Sequence, residues 1–177
     1  MFGKNGEAMK NNIFLIGFMG AGKSSVAHVL HRRYGKRLIE MDEQIEKQEG
    51  RKISEIFASD GEAYFRGLET ALLRALEGER DVVVSCGGGV PLRSCNVEAM
   101  RESGCIVYLA ARPETIYERV RDSHNRPLLE GNMSVSYIRT LMEKRLPAYL
   151  AAADVTIETD GKSMGTIAAE IVRAIAQ

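Results

Sequence analysis

Short apolar runs alternate with amphipathic helical segments along most of the chain. Residues 12–16 are rich in β-branched and aromatic side chains, and glycines and then apolar residues at helical spacing follow them. Similar runs predict further strands at 38–41, 81–84 and 105–109, and around Val155 and Ile157. Parallel strands need crossover segments, and a helical segment lies near each run. The pattern predicts an α/β fold with about five parallel strands covered on both faces.

Two of the helical segments each show one apolar face. The first contains Phe65, Leu68, Leu72 and Leu76, and the second contains Ile167, Ile171 and Ile175. Apolar residues that recur every three or four positions are typical of helices packed against a core. We expect ordinary packing helices at both places.

The alternation is interrupted at two places. Residues 1–10 are polar, contain glycines and predict a flexible N-terminal extension. Residues 121–133, RDSHNRPLLEGNM, are polar and have no sustained period, which is typical of a lid over a site or of a plain surface loop. Arg126 within this segment favours the lid. Residues 11–177 are predicted to form a single domain.

Composition limits the possible partners. Among 177 residues, 24 are Lys or Arg and 24 are Asp or Glu, so no overall field attracts nucleic acid or an anionic membrane. The sequence lacks both an apolar stretch of roughly 20 residues and a secretory signal. We expect a cytoplasmic protein with no nucleic-acid or membrane partner. A monomer is the working expectation, although the sequence does not determine the oligomeric state.

Cysteines and histidines do not suggest a disulfide framework or a metal site. Cys86, Cys95 and Cys105 are odd in number and widely spaced, so we expect reduced thiols, with Cys86 buried beside a glycine turn. The histidines, His28, His31 and His124, show no metal-ligand spacing.

A glycine-rich segment carries the strongest chemical signal. Residues 17–24, GFMGAGKS, match G-x-x-x-x-G-K-[ST] between a predicted strand and a predicted helix. Backbone N–H groups without obstructing Cβ atoms can surround phosphate oxygens, and the helix N-terminus adds its dipole. Lys23 is expected to reach the β and γ phosphates, and the Ser24 hydroxyl to bind Mg²⁺. We call residues 17–24 the phosphate loop.

Three further features indicate a second pocket. Asp42 follows the second predicted strand, where it is either a site residue or a helix N-cap. Arg66 and Glu69 lie three residues apart on a helix, either as a solvated pair or as a guanidinium held in place for a ligand. Residues 87–89, the triple-glycine loop, follow a buried strand, which suggests that a ligand approaches bare main chain.

A second pocket distinguishes a kinase from a nucleotide switch. The switch would need an N-K-x-D segment to read guanine and a D-x-x-G segment to sense the γ phosphate, and the sequence has neither. Transfer to a small acceptor needs a pocket and a closing lid that excludes water.

Taken together, these segments resemble the shikimate kinase family from residue 11 onward. The resemblance is carried by Gly20-Ala21-Gly22-Lys23-Ser24-Ser25, Asp42, Phe65-Arg66-x-x-Glu69, Gly87-Gly88-Gly89, Arg126-Pro127-Leu128-Leu129 and Arg145-x-x-x-Tyr149. It implies a P-loop three-layer α/β sandwich of the nucleoside monophosphate kinase type, with a five-stranded parallel sheet. The implied reaction is ATP-dependent phosphorylation of the shikimate 3-hydroxyl, giving shikimate 3-phosphate and ADP in chorismate and aromatic amino acid biosynthesis.

The resemblance also implies roles for individual residues. Lys23, Asp42 and Arg126 are expected to be catalytic. The expected ATP-binding residues are Gly20, Ala21, Gly22, Lys23, Ser24, Ser25, Arg119, Arg126 and Lys162. The expected shikimate-binding residues are Asp42, Arg66, Gly87, Gly88, Gly89 and Arg145. Ser24 and Glu40 are the expected Mg²⁺ ligands.

One departure from the family pattern affects the metal site. The family usually has Asp-x-Asp where this chain has Glu40-Met41-Asp42. A glutamate keeps the carboxylate on a longer side chain, so a contact with Mg²⁺ through water remains feasible. The alternatives left open are another small-molecule P-loop kinase, such as a gluconate or nucleoside monophosphate kinase, and a regulatory module that binds nucleotide without an acceptor.

Overall fold

A five-stranded parallel sheet forms the centre of the computed structural model, which describes residues 11–121 and 134–176. The strands are β1 (Asn12–Ile16), β2 (Arg37–Glu40), β3 (Val82–Ser85), β4 (Gly104–Ala110) and β5 (Val155–Glu158). Their order across the sheet is β2-β3-β1-β4-β5, and every neighbouring pair is parallel. Central β1 pairs with β3 through Ile13 and Val83, and with β4 through Ile13 and Cys105. The predicted sheet is confirmed.

The helices pack in two groups about the sheet. They are α1 (Lys23–Tyr34), α2 (Met41–Glu49), α3 (Ile53–Ala75), α4 (Ser94–Ser103), α5 (Pro113–Val120), α6 (Val135–Ala152) and α7 (Met164–Ile175). Helices α1 and α7 contact each other, whereas α4 contacts both α3 and β4, and α6 contacts α5 and β4. Together with the sheet they give the expected three-layer α/β architecture. None of the described helices is long and apolar enough to cross a membrane.

The core forms around β1, which is buried along its whole length. Its one polar residue is fully bonded, because Asn12 donates to the Glu79 carbonyl (2.8 Å) and accepts from the Val82 N–H (3.0 Å). A buried amide must be paired in this way to avoid the cost of desolvation. Asn12 therefore fixes the entry of β3 beside β1.

The predicted apolar helix faces are confirmed, with one irregularity. Phe65 and Leu72 on α3 are buried, as are its C-cap Leu76 and Ile167 and Ile171 on α7, while Leu68 and Ile175 are half-buried. Within α3, Gly61 has φ 81° and ψ 175°, so it separates two helical arms, 53–60 and 62–75. A Cβ at Gly61 would contact nothing within 4 Å, so the break arises from backbone conformation rather than from crowding.

Some predicted boundaries differ by a residue or more. Strand β2 ends at Glu40, because Met41 already begins α2. Strand β3 starts at Val82, since Asp81 has φ 57° and forms a turn before the strand. The predicted N-terminal extension, residues 1–10, lies outside the described residues, as do residues 122–133 of the predicted lid.

Candidate active site

The phosphate loop connects β1 to α1 at the carboxyl end of the strand. Gly17, Gly20 and Gly22 have φ of 147°, 76° and 99°, values that side chains other than glycine rarely adopt. A Cβ at Gly17 would lie 2.7 Å from the Leu109 carbonyl oxygen, and one at Gly20 would lie 2.7 Å from Val120 Cγ1. Backbone conformation therefore favours glycine at all three positions. Close packing on β4 and α5 gives a second reason at Gly17 and Gly20.

Lys23 begins α1 and lies across this loop. Its ammonium donates to the carbonyl oxygens of Gly17 (2.9 Å) and Phe18 (3.1 Å). The first turn of α1 contains no acidic residue, so the positive end of its dipole is not neutralised there. The loop therefore combines a fixed ammonium with an uncompensated helix N-terminus, an arrangement that attracts phosphate.

Three oxygen-bearing side chains meet beside Lys23. The Ser24 hydroxyl donates to Glu40 Oε2 (3.0 Å) and lies 3.2 Å from Ser85 Oγ. Glu40 Oε1 is buried and has no hydrogen-bond partner among the described residues, although His28 Nε2 lies 3.9 Å away. A hydroxyl beside a carboxylate with an unused oxygen suits a hard cation. Sequence reasoning missed Ser85, whose only signal is its position at the end of β3.

Arg119 and the start of α7 flank the phosphate loop. Arg119 donates to the Gly20 (3.1 Å) and Ala21 (3.3 Å) carbonyls. A Cβ on Gly22 would lie 3.5 Å from Met164 Sδ and 3.9 Å from Arg119, so both side chains reach the same point of the loop. Lys162, two residues before Met164, pairs with Glu170 (2.6 Å). Met164 was not predicted.

Asp42 is the second residue of α2 rather than its N-cap, which is Glu40. The alternative that Asp42 serves only as an N-cap is therefore wrong. Asp42 is exposed by surface area, although neighbouring protein displaces part of the water around its carboxylate. The resulting loss of water raises the pKa of Asp42, an effect that Lys23 partly opposes and Glu40 reinforces. Such a carboxylate is a stronger base than an ordinary aspartate.

Arg66 and Glu69 form a pair that is buried on one side. Arg66 donates to Glu69 Oε2 (2.8 Å) and to Glu62 Oε1 (3.0 Å). The Glu69 side chain is 0% exposed and that of Arg66 is 22% exposed, so the alternative of a solvated surface pair is wrong. Burial raises the pKa of Glu69, and the guanidinium of Arg66 works against this rise. Glu69 holds the guanidinium at the cleft.

The triple-glycine loop is packed against the charged groups of the pocket. Cβ atoms at Gly87, Gly88 and Gly89 would lie 2.6 Å from Glu69 Oε1, 3.2 Å from an Arg145 nitrogen and 2.5 Å from an Arg66 nitrogen, respectively. Sequence reasoning attributed the bare backbone to a ligand. The structure gives a further reason, since side chains on this loop would displace both guanidinium groups.

The structure thus brings most of the predicted site together at one edge of the sheet. The phosphate loop follows β1, Asp42 follows β2 and the triple-glycine loop follows β3, and parallel strands place these carboxyl ends side by side. Arg145 reaches the same place from α6, with its guanidinium 5.8 Å from the centre of the Phe18 ring. Ser25 is exposed in the first turn of α1. Arg126 lies outside the described residues.

The cysteines take no part in this arrangement. Cys86 is a free, buried thiol as predicted, and burial raises its pKa, so little reactive thiolate forms at neutral pH. Cys95 and Cys105 are also free, and burial raises the pKa of Cys105 to about 11. His31 lies 2.7 Å from the Lys36 carbonyl oxygen, and His124 is outside the described residues.

A parallel α/β fold with a phosphate loop beside an arginine-lined pocket defines a P-loop kinase of a small molecule. Comparison with known proteins then identifies the family, because residues 19–176 match the shikimate kinase family model. The chain belongs to the shikimate kinase family and is a phosphotransferase.

Individual relatives agree with this assignment. The chain is 43% identical over 164 residues to the shikimate kinase of Persephonella marina, covering 93% of this chain and 98% of the relative. It is 44% identical to the shikimate kinase of Dehalococcoides mccartyi, with 92% of each chain covered. Among solved structures it is similar to shikimate kinase from Acinetobacter baumannii in complex with shikimate, at TM-score 0.86 and 34% identity over 94% of this chain and 93% of the other.

A more distant structure shows the fold alone. The gluconokinase from Sinorhizobium meliloti matches at TM-score 0.58 and 21% identity, over 96% of this chain and 94% of the other. The gluconate kinase alternative therefore shares the architecture with this chain but receives no support for its substrate.

Proposed function

We propose that this chain transfers the γ-phosphoryl group of ATP to the 3-hydroxyl of shikimate and releases shikimate 3-phosphate and ADP. The observation that carries the proposal is the packing of two guanidinium groups, Arg66 and Arg145, against the backbone of the triple-glycine loop. Planar guanidinium groups bind a carboxylate through paired, charge-assisted hydrogen bonds. A small acid is thus held next to the phosphate loop.

The acid is recognised from two sides. Arg66 is fixed by Glu69 and Glu62, and Arg93 donates to the Arg66 carbonyl (2.9 Å), which anchors this turn of α3 to the start of α4. Arg145 approaches Gly88 from α6, whereas Arg66 approaches Gly89 from α3. Because the site already holds the guanidinium groups in place, little side-chain entropy is lost when the carboxylate binds. The backbone of residues 87–89 supplies N–H donors for hydroxyl groups of the acceptor.

Asp42 is proposed to orient the acceptor hydroxyl and to take its proton as transfer proceeds. Protein around the carboxylate raises its pKa and so increases its basicity, and the Gly87 Cα faces it closely, with a Cβ there 3.5 Å from Asp42 Oδ1. The lone pairs of Asp42 thus face the same pocket as the bare backbone. A hydroxyl held there loses its proton to the carboxylate as its oxygen bonds to phosphorus.

The nucleotide is proposed to lie along the phosphate loop. Backbone N–H groups of Gly20, Gly22, Lys23, Ser24 and Ser25 surround its phosphates, and the Lys23 ammonium offsets their charge. The Ala21 N–H donates to the Phe18 carbonyl (3.1 Å), so Ala21 is proposed to contribute by shaping the loop rather than as a donor. Arg119 and Lys162 are proposed to flank the adenosine, supported by the approach of Arg119 and Met164 to Gly22. Arg126 is proposed, from the family resemblance, to stabilise the moving phosphoryl group.

Ser24 and Glu40 are proposed to hold Mg²⁺. The unused, buried Oε1 atom of Glu40 and the hydroxyl 3.0 Å from its other oxygen fit a hard cation that prefers oxygen. Mg²⁺ held by these two residues would offset negative charge on the phosphates during transfer. Within the described residues, no cluster of three or more His, Cys, Asp or Glu side chains forms an all-protein metal cage.

A coupled assay of ADP formation tests the reaction. Shikimate, gluconate and nucleoside monophosphates are compared as acceptors, and only shikimate is expected to support turnover. Arg66→Ala is expected to weaken shikimate binding by roughly 1.5 to 3 kcal/mol, or about 10- to 150-fold, while the exposed Arg74→Ala on the same helix serves as the control. Turnover with gluconate instead, or an Arg66→Ala variant that binds shikimate normally, would refute the assignment.

The assembly and location of the protein remain proposals as well. We propose a monomer in the cytoplasm. The balanced charge of the chain supports the further proposal that it binds neither nucleic acid nor an anionic membrane. Light scattering coupled to size-exclusion chromatography measures the mass directly, and twice the chain mass would contradict the monomer.

A further inference from the structure

Tyr149 is a buried tyrosine whose hydroxyl reaches the triple-glycine loop. It lies on α6 one helical turn after Arg145, and only 2% of its surface is exposed. Its hydroxyl donates to the Gly88 carbonyl oxygen at 2.8 Å. Its ring packs against the ring of Tyr108, with 5.3 Å between centroids and 32° between planes. The ring is therefore held in place by the core, and the hydroxyl by its bond to the loop.

This hydrogen bond determines the direction of a neighbouring donor. The described residues contain no cis peptide, so the Gly88 carbonyl and the Gly89 N–H point in opposite directions across one planar unit. Since the carbonyl points toward Tyr149, the Gly89 N–H points away from α6. Glycines on both sides of this peptide offer little resistance to its rotation, because they lack the Cβ that restricts other residues.

The same hydroxyl lies close to Arg145. A Cβ on Gly88 would lie 3.2 Å from an Arg145 nitrogen and 3.7 Å from the Tyr149 hydroxyl oxygen, so both groups contact one face of Gly88. Burial raises the pKa of the Tyr149 hydroxyl, and the nearby Arg145 guanidinium partly offsets the rise. At neutral pH the hydroxyl therefore stays protonated and able to donate to the loop.

We propose that Tyr149 is a positioning residue for the acceptor: its hydroxyl selects the orientation of the Gly88–Gly89 peptide in which the Gly89 N–H faces away from α6 and can bind shikimate. The inference rests on the proposed function, because it assigns the donor to that substrate. Tyr149 acts through the Gly88–Gly89 backbone, and its hydroxyl also shares a hydrogen bond with the Arg145 guanidinium.

Two variants that each remove one oxygen atom test the inference. Tyr149→Phe deletes the hydroxyl that holds the loop, whereas Tyr108→Phe deletes a hydroxyl from the same ring pair and leaves the Gly88 bond intact. Dissociation constants for shikimate and for ATP are measured separately by calorimetry, together with KM for each substrate and the Tm. Measurements at 10 °C keep both variants folded, which circular dichroism verifies.

Tyr149→Phe is expected to raise the dissociation constant and KM for shikimate by about 2- to 13-fold, the range for one neutral hydrogen bond. ATP binding should change less than about twofold, and Tyr108→Phe should leave both constants unchanged. A merely structural Tyr149 would lower the Tm and leave the shikimate constant unchanged, or would weaken both ligands equally, and either result overturns the inference. If the native chain lacks shikimate-dependent ADP release, the proposed function itself fails. If the native chain is active and the Tyr149→Phe and Tyr108→Phe proteins bind shikimate equally well, only the role of Tyr149 is refuted.

Discussion

Gly89→Ala separates the geometry of the pocket from the stability of the fold. Gly89 has φ −93° and ψ −8°, a conformation that alanine adopts readily, so the backbone itself tolerates the change. The added Cβ would lie 2.5 Å, 2.6 Å and 2.7 Å from the Nη1, Cζ and Nη2 atoms of Arg66. The three closest contacts therefore all involve the guanidinium that we propose binds the acid.

The size of the effect follows from these distances. Ordinary contact begins at 3.4 Å, so the guanidinium has to move by about 0.9 Å. That movement takes its donors out of hydrogen-bond range of a carboxylate placed for the native position. We expect a loss of about 1.5 to 3 kcal/mol in shikimate binding, or about 10- to 150-fold. The free energy of unfolding should change by no more than about 1 kcal/mol, because the tip of a flexible side chain can move and alanine reduces the entropy of the unfolded chain.

Calorimetry with shikimate and with ATP, combined with urea denaturation, distinguishes the two effects. Gly67→Ala is the matched control, since Gly67 lies on α3 and a Cβ there has no neighbour within 4 Å. This control should gain about 0.5 to 1 kcal/mol of stability and bind shikimate normally. Native shikimate affinity in a folded Gly89→Ala protein would show that the described position of Arg66 is not the one that binds the acid.

Other changes give separate tests of the site and of its support. Asp42→Asn should retain ATP binding and lose turnover, and near-normal turnover would exclude Asp42 as the base. In the native enzyme, kcat should fall on the acid side at a pH above the ordinary aspartate pKa, because the raised pKa of Asp42 leaves the base protonated at higher pH. Glu40→Gln should raise the Mg²⁺ concentration for half-maximal rate about 30-fold, because one negative charge near 4 Å from a divalent cation in water contributes about 2 kcal/mol. The exposed Glu43→Gln should leave it unchanged, and identical Mg²⁺ titrations would exclude Glu40. Asn96→Leu should lower the free energy of unfolding by about 1 to 3 kcal/mol, because the buried Asn96 accepts from Thr70 (2.7 Å) and donates to the Val90 carbonyl (3.0 Å). An unchanged midpoint of urea denaturation would contradict the stabilising role of these two hydrogen bonds.

Local patterns were enough to predict the sheet and the phosphate loop. The run at residues 12–16 is apolar because β1 is buried on both faces, and the spacing from Gly17 to Ser24 is set by backbone geometry that glycine alone allows. Both signals come from neighbours in sequence, so one chain contains them in full. Helix α2 starts two residues earlier than an N-cap at Asp42 would place it, because its N-cap is Glu40, which makes no side-chain capping hydrogen bond.

Contacts between segments that are distant in the sequence could not be predicted from local patterns. Glu69 looks like any surface acid on a helix, and its complete burial depends on the triple-glycine loop that arrives from β3. The bond from Tyr149 to Gly88 joins residues 61 positions apart, and the contact of Met164 with Gly22 likewise joins distant parts of the chain. Only the fold brings such pairs together, so patterns in the sequence indicated which residues matter but not how they are held.

The break at Gly61 has a consequence for engineering this scaffold. Arg66 and Glu69 lie on the arm 62–75, which Phe65, Leu72 and Leu73 anchor in the core. The arm 53–60 is joined to its surroundings by the ion pair of Asp60 with Arg51 (2.6 Å), by the bond from the Ile53 N–H to Glu46 (3.0 Å) and by the buried Ile56. The exposed positions of the arm 53–60 can therefore be varied in engineered proteins while Arg66 and Glu69 keep their place on the arm 62–75.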